Sequence, residues 1–205
     1  MSSGVESEAE TTTMSRLLSR INRLCNSSVL PGLEGFGGSL RPGSIRRVLD
    51  ALQVEGCTFV DVGYGDGRVL LQALALGASK AVGFELPGNS GRELFVKTLA
   101  QRCGLDPGVV TLHHTAIQDA ATPLPGSCLF AFWEGWGPAQ GALVEALGRS
   151  PAIKRVVFTE PAGLFRFEPD VRTQMRERGF EEVESFPGFM SGSGSQKPML
   201  VFARQ

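Results

Sequence analysis

Phe59-Val60-Asp61-Val62-Gly63-Tyr64-Gly65-Asp66-Gly67-Arg68 is the stretch on which the fold turns. It begins inside residues 57–62, a short apolar and β-branched run of the kind that forms a strand buried on both faces. It ends where residues 68–76 take up a helical pattern. Between the two, glycines stand at three alternating positions. A strand, a glycine turn and a helix N-terminus in that order bring backbone amides against a bound group. Glycine is abundant in the whole chain, 26 of 205 residues, against a usual share of roughly 7%. Such residues are spent where a backbone must turn with positive φ or come close to something.

Working outward, residues 80–85, 109–114, 128–133 and 154–159 read as further strands, and 92–102 and 139–147 as helices between them. Upstream, Pro42 opens a helix through Ile45, Val48, Leu49 and Leu52. Strand and helix alternating in this way imply right-handed crossovers and a parallel sheet covered on both faces. The end differs. After a helix over 170–178, residues 181–186 and 199–203 are strands joined only by 187–198, too short and too rich in Gly and Ser for a crossover helix. A long hairpin with one antiparallel strand follows. The expected fold class is α/β: a doubly wound, Rossmann-like, mostly parallel seven-stranded sheet ending in an antiparallel hairpin.

Residues 1–13 are Ser, Thr and Glu with little to bury, which predicts a disordered tail. Residues 14–205 form a single expected domain. It opens with an amphipathic helix whose stripe is Met14, Leu17, Leu18, Ile21, Leu24 and Cys25, and continues into a loop up to residue 40. Arg16, Arg20 and Arg23 fall on the polar face of that helix and read as a solvated surface.

Lys and Arg number 20 and Asp and Glu 21, a formal net charge of −1. No overall positive field exists to grip a nucleic-acid backbone or an acidic membrane, so strong intrinsic binding to either is not expected. Cys25, Cys57, Cys103 and Cys128 contain no CxxC pair, and only His113 and His114 could join them. Neither a metal site nor a disulfide framework is expected. The acidic start and the lack of any long apolar run predict an intracellular protein, cytoplasmic or nuclear.

The glycine loop also discriminates between ligands. A dinucleotide fingerprint starting at Gly63 needs a third glycine where Arg68 stands, and one starting at Gly65 needs it at Leu70. A Walker loop needs a Gly-Lys-Ser/Thr that is absent. The observed form is DxGxGxG. An acid two residues before the first glycine can accept hydrogen bonds from a cationic amino-acid moiety, whereas it would repel a pyrophosphate. Glu85 ends the second strand, 24 residues after Asp61, about where an acid that bonds ribose hydroxyls belongs. The expected cofactor is S-adenosylmethionine, held by Asp61, Gly63, Tyr64, Gly65, Gly67 and Glu85.

An acceptor would lie beyond the carboxyl ends of the strands, where the fourth strand exits as Phe130-Ala131-Phe132-Trp133-Glu134-Gly135-Trp136-Gly137-Pro138. Both tryptophans of the chain are here. Aromatic faces stabilise sulfonium or ammonium charge, and holding acceptor and methyl in line supplies much of the rate. Phe132, Trp133 and Glu134 are therefore the expected catalytic residues, Glu134 as anchor or base for an amine. In the competing reading Phe132 and Trp133 are core and Glu134 belongs to a solvated loop. Glu160, after the fifth strand, carries the same ambiguity. His113 and His114 read as structural, and the Asn-Pro-Pro-Tyr of many amino methyltransferases is absent.

Residues 59–72, FVDVGYGDGRVLLQ, resemble the cofactor motif of the histone-lysine methyltransferases called disruptors of telomeric silencing, and the layout of the sheet resembles that of class I methyltransferases. Phe36-Gly37-Gly38-Ser39-Leu40 lies where that family has a Tyr-Gly-Glu loop, and Gly83-Phe84-Glu85 resembles its ribose-binding Gly-Val-Glu. Gly137-Pro138, Arg155-Val156-Val157, Pro161 and Lys197-Pro198 follow its downstream spacing, so the likeness runs from about Phe36 to Ala203. The resemblance implies that the loop before residue 40 covers the cofactor and that Ile117 packs against the adenine. It also implies an activity: N-methylation of a protein lysine, a histone included. The departures are specific. Gly38 replaces the loop glutamate, Ala116 stands where an acid would meet the adenine amino group, with Asp119 as a substitute, Phe132-Trp133 replace paired asparagines, and Val201-Phe202 replace the tyrosines of the lysine channel. These leave two alternatives: a methyltransferase of small molecules, and a non-catalytic protein that binds cofactor or only a partner.

Overall fold

The computed structural model describes residues 3–27, 40–87, 91–132, 139–159, 171–191 and 195–205. In chain order the elements are α1 (Ser3–Asn26), α2 (Pro42–Leu52), β1 (Thr58–Val62), α3 (Arg68–Ala75), β2 (Lys80–Glu85), α4 (Gly91–Arg102), β3 (Val110–His114), β4 (Cys128–Ala131), α5 (Ala139–Gly148), β5 (Arg155–Thr159), α6 (Val171–Glu177), β6 (Phe180–Phe189) and β7 (Gln196–Arg204). The strands form one seven-stranded sheet in the order β3-β2-β1-β4-β5-β7-β6. The first five are parallel, and β7 runs antiparallel to both β5 and β6. This is the expected doubly wound architecture with its terminal hairpin.

Alternation along the central strands builds two cores. Phe59, Ala81, Val110, Cys128, Phe130 and Val157 face one layer, with Ile21, Ile45, Leu49, Leu70, Val96 and Leu99 from α1 to α4. Val60, Val62, Val82, Leu129, Val156 and Phe158 face the other, with Leu143, Leu147, Val171 and Met175 from α5 and α6. Strands covered on both faces can be apolar throughout, which is why they read as continuous runs. The order reverses between β1 and β4, and the crevice beyond that switch point is where open α/β sheets bind ligands.

Two elements differ from expectation. The backbone of α1 is helical back to Ser3, through residues expected to be disordered. Its apolar stripe supplies the nucleus: Ile21 and Cys25 are buried, and Asn22 accepts a hydrogen bond from Gln72 Nε2 at 3.1 Å. Extending an existing helix costs far less than starting one. The hairpin strands are also longer than expected, with Pro187 opposite Pro198 and Phe189 opposite Gln196. The prolines are tolerated because β5 pairs with β7 only as far as Thr159 opposite Met199, so Pro198 owes no ladder bond to β5.

Polar groups close the far end of the sheet. Arg204 donates to the carbonyls of Leu147 (2.7 Å), Arg178 (3.0 Å) and Ile153 (3.1 Å), and its guanidinium stands 4.2 Å from the ring centre of Phe180. One side chain thereby ties α5, the turn after α6, and the segment leading into β5 to the end of β7. The edge strand β6 carries a bulge at 182–184 and the acids Glu181, Glu182 and Glu184, facing Arg176, Arg172 and Arg47. Charge and bulge together discourage pairing of this edge with another chain.

Candidate functional site

The glycine loop after β1 follows directly from local sterics. Gly63, Gly65 and Gly67 all have positive φ, at 81°, 53° and 75°, a conformation that costs other residues of the loop dearly. At Gly67, a Cβ would also lie 2.6 Å from a methyl of Val96 on α4. The loop is hung on β2 and closed on itself: Gly63 N–H donates to the Phe84 carbonyl at 2.8 Å, and Gly67 N–H to the Tyr64 carbonyl at 2.8 Å. Tyr64 turns inward and packs against Gly83, where a Cβ would come within 2.5 Å of its ring. Tyr64 is therefore a buried support of the loop, 3% exposed, with a hydroxyl that has no hydrogen-bond partner among the described residues. Burial, and next the charge of Glu85, push that phenol up to about 12.

Three carboxylates meet at this loop. Asp66 and Arg68 form a buried pair, Arg68 Nη2 to Asp66 Oδ2 at 2.6 Å, and the Arg68 amide also donates to Asp66 Oδ1 at 3.1 Å. Glu85 is paired with Arg92 of α4, Nη1 to Oε2 at 3.0 Å. Asp61 has no such partner among the described residues. It is 2% exposed, on the same face of β1 as Phe59, opposite Gly83 on one side and Phe130 on the other. Burial, then the charges of Glu85 and Asp66, hold its carboxyl well above the usual carboxylate range. Among the described residues three acids face two guanidiniums, so Asp61 has no cation to meet it when it ionises. Such a charge is costly unless a cation joins it.

The neighbouring strand ends supply flatter surfaces. His113 stacks on Phe84 with ring centres 4.8 Å apart, and His114 meets the edge of Tyr64 at 6.5 Å. Ile117 is buried in the cluster that holds Phe84, in a short turn over Ile117–Asp119, while Asp119 is exposed. Leu86, directly after Glu85, is 62% exposed.

The sequence-predicted residues thus divide. Asp61, Gly63, Tyr64, Gly65, Gly67 and Glu85 come together around one loop, with Ile117 at the end of the next strand but one. Phe132 is half-buried against the core at the end of β4, whereas Trp133, Glu134 and Glu160 lie outside the described residues, as do Phe36 to Ser39, Gly137, Pro138 and Pro161. Val201 and Phe202, placed by the resemblance in an acceptor channel, are instead fully buried on opposite faces of β7, because that strand is interior to the sheet. Arg92 and Leu86 were not foreseen. An arginine at the second position of a helix, where the macrodipole disfavours a cation, was the signal available for the first.

A ribosomal protein L11 methylase from Lactobacillus delbrueckii subsp. bulgaricus superposes with a TM-score of 0.57 and 16% identity over 79% of this chain and 77% of that one. The chain has the fold of the class I methyltransferases. A magnesium protoporphyrin IX methyltransferase from Synechocystis PCC 6803, solved with bound S-adenosylmethionine, matches at 0.64 and 12% identity over 91% and 90%. A B. subtilis tRNA methyltransferase matches at 0.59 and 14% identity over 79% and 65%. No protein-family model matches the chain, and no curated protein matches it in sequence. One fold here serves a protein, a porphyrin and a tRNA. It does not single out the histone lysine implied by the motif, and net charge gives no ground for excluding nucleic acid. Among the described residues no helix is long and apolar enough to cross a membrane.

Proposed function

We propose that the chain is an S-adenosylmethionine-dependent methyltransferase, with its cofactor between the glycine loop and the ends of β1, β2 and β3. The observation that carries this reading is the buried carboxyl of Asp61, which has no cationic partner among the described residues. S-adenosylmethionine bears an ammonium, a sulfonium and a carboxylate, a net charge of one positive, equal and opposite to the excess around the loop. Asp61 would accept from the ammonium directly or through the loop. Glu85 would accept from the ribose hydroxyls, and exposed Leu86 and the turn at Ile117 would enclose the adenine. When bound, the cofactor supplies an electrophilic methyl group on a sulfonium.

For the acceptor we favour an amine, a protein lysine first. The support is the sequence Phe132-Trp133-Glu134, two aromatic residues and a carboxylate that follow β4 in the chain. Transfer of labelled methyl into acid-precipitable protein, lost on Glu134→Gln with cofactor affinity retained, would support it. Label appearing only in small molecules would move the acceptor to a metabolite, and no transfer by a protein that binds cofactor would favour a non-catalytic role.

A further inference from the structure

Arg92 stands where helix electrostatics disfavours it. It is the second residue of α4, whose N-terminal end carries partial positive charge, and it is 8% exposed. A guanidinium buried there needs a compensating anion, and Glu85, at the ligand-binding edge of the sheet, provides it. The carboxylate of Glu85 is in turn held from three directions: by Arg92 Nη1 on Oε2 at 3.0 Å, by the Gly65 amide on Oε2 at 3.0 Å, and by the Leu86 amide on Oε1 at 3.1 Å. A carboxylate offers about four acceptor sites. Among the described residues Oε2 meets the Gly65 amide and Arg92 while Oε1 meets only the Leu86 amide, so Oε1 keeps an acceptor site open.

We propose that Arg92 is a positioning residue for ribose recognition: it fixes Glu85 in the one orientation that presents Oε1 to a ribose hydroxyl. This deepens the cofactor reading and rests on it. Arg92 acts through Glu85, whose charge it also offsets beside Asp61. Without Arg92 the carboxylate is free to turn away, and the free acceptor site is no longer preorganised.

The test is calorimetric titration with S-adenosylhomocysteine and with its 2′,3′-dideoxy analogue, on wild type, Arg92→Gln and Arg92→Lys. Removing a charged partner of this kind costs about ten-fold or more in affinity. The expected result is a loss of about ten-fold for S-adenosylhomocysteine in Arg92→Gln, a loss below about two-fold for the dideoxy analogue, and substantial recovery in Arg92→Lys. If Arg92→Gln gives no cooperative melt, Arg92→Lys is read in the same way, with a smaller loss of about three-fold confined to the hydroxyl-bearing ligand. Equal losses for the two ligands, or none, overturn the role of Arg92 while leaving the cofactor reading intact. A wild-type protein that binds neither ligand overturns both.

Discussion

Asp61 is the residue at which stability and binding oppose each other. Its carboxyl is raised well above the usual range by burial and by Glu85 and Asp66. For a group raised in the folded state, its contribution to stability is intact below the unfolded value and is lost as pH climbs through the folded one. At neutral pH Asp61 therefore weakens the free protein. Asp61→Asn is expected to raise the melting temperature of the unliganded chain, by about 2–4 °C for each kcal/mol relieved. The gain should shrink toward zero as pH falls to the unfolded carboxyl value. Thermal melts of both proteins across that range check it. Gly67 has the opposite character. Positive φ and a 2.6 Å approach to Val96 predict that Gly67→Ala destabilises by about 2–3 kcal/mol, measurable by urea denaturation.

Among the elements, β7 carries the most weight beyond its own length. Arg204 at its end satisfies carbonyls from three other segments. Arg204→Met keeps the aliphatic stem but strands those acceptors, and is expected to cost about 2–3 kcal/mol without changing cofactor affinity. Urea titration and calorimetry on one preparation separate the two effects. Elements were also where sequence could be read most directly. The central parallel strands declared themselves because they are buried on both faces, as in β2, whose buried run 81–84 lies between Lys80 and Glu85. The hairpin did not, because whether a proline breaks a strand depends on the neighbour's reach, and β5 stops short of Pro198. Helix α1 was half visible: its stripe is in the pattern, but residues before Met14 extend it without an apolar signal.

For the molecule as a whole, the sheet order places one reversal point, and the glycine loop, Asp61 and Glu85 all gather beside it. That much could be read from spacing alone, since a glycine turn at a strand end implies its own location. The charge balance could not. Arg68 pairs two residues back and Arg92 seven, and only three-dimensional placement shows that, among the described residues, these two arginines leave Asp61 without a cation. The acceptor is not set by the fold, which holds unrelated acceptors in its neighbours. Ligand binding should stabilise the entire domain, and at a hundred times Kd the gain is about 2.7 kcal/mol, a rise of roughly 5–10 °C. The most direct measurement is calorimetric titration of S-adenosylmethionine into wild type and Asp61→Asn at neutral pH. The expected result is one equivalent bound by wild type and a loss of affinity of about ten-fold or more in the variant. No heat and no thermal shift from wild type at millimolar ligand would contradict the assignment, and equal affinity in the two proteins would remove Asp61 from it.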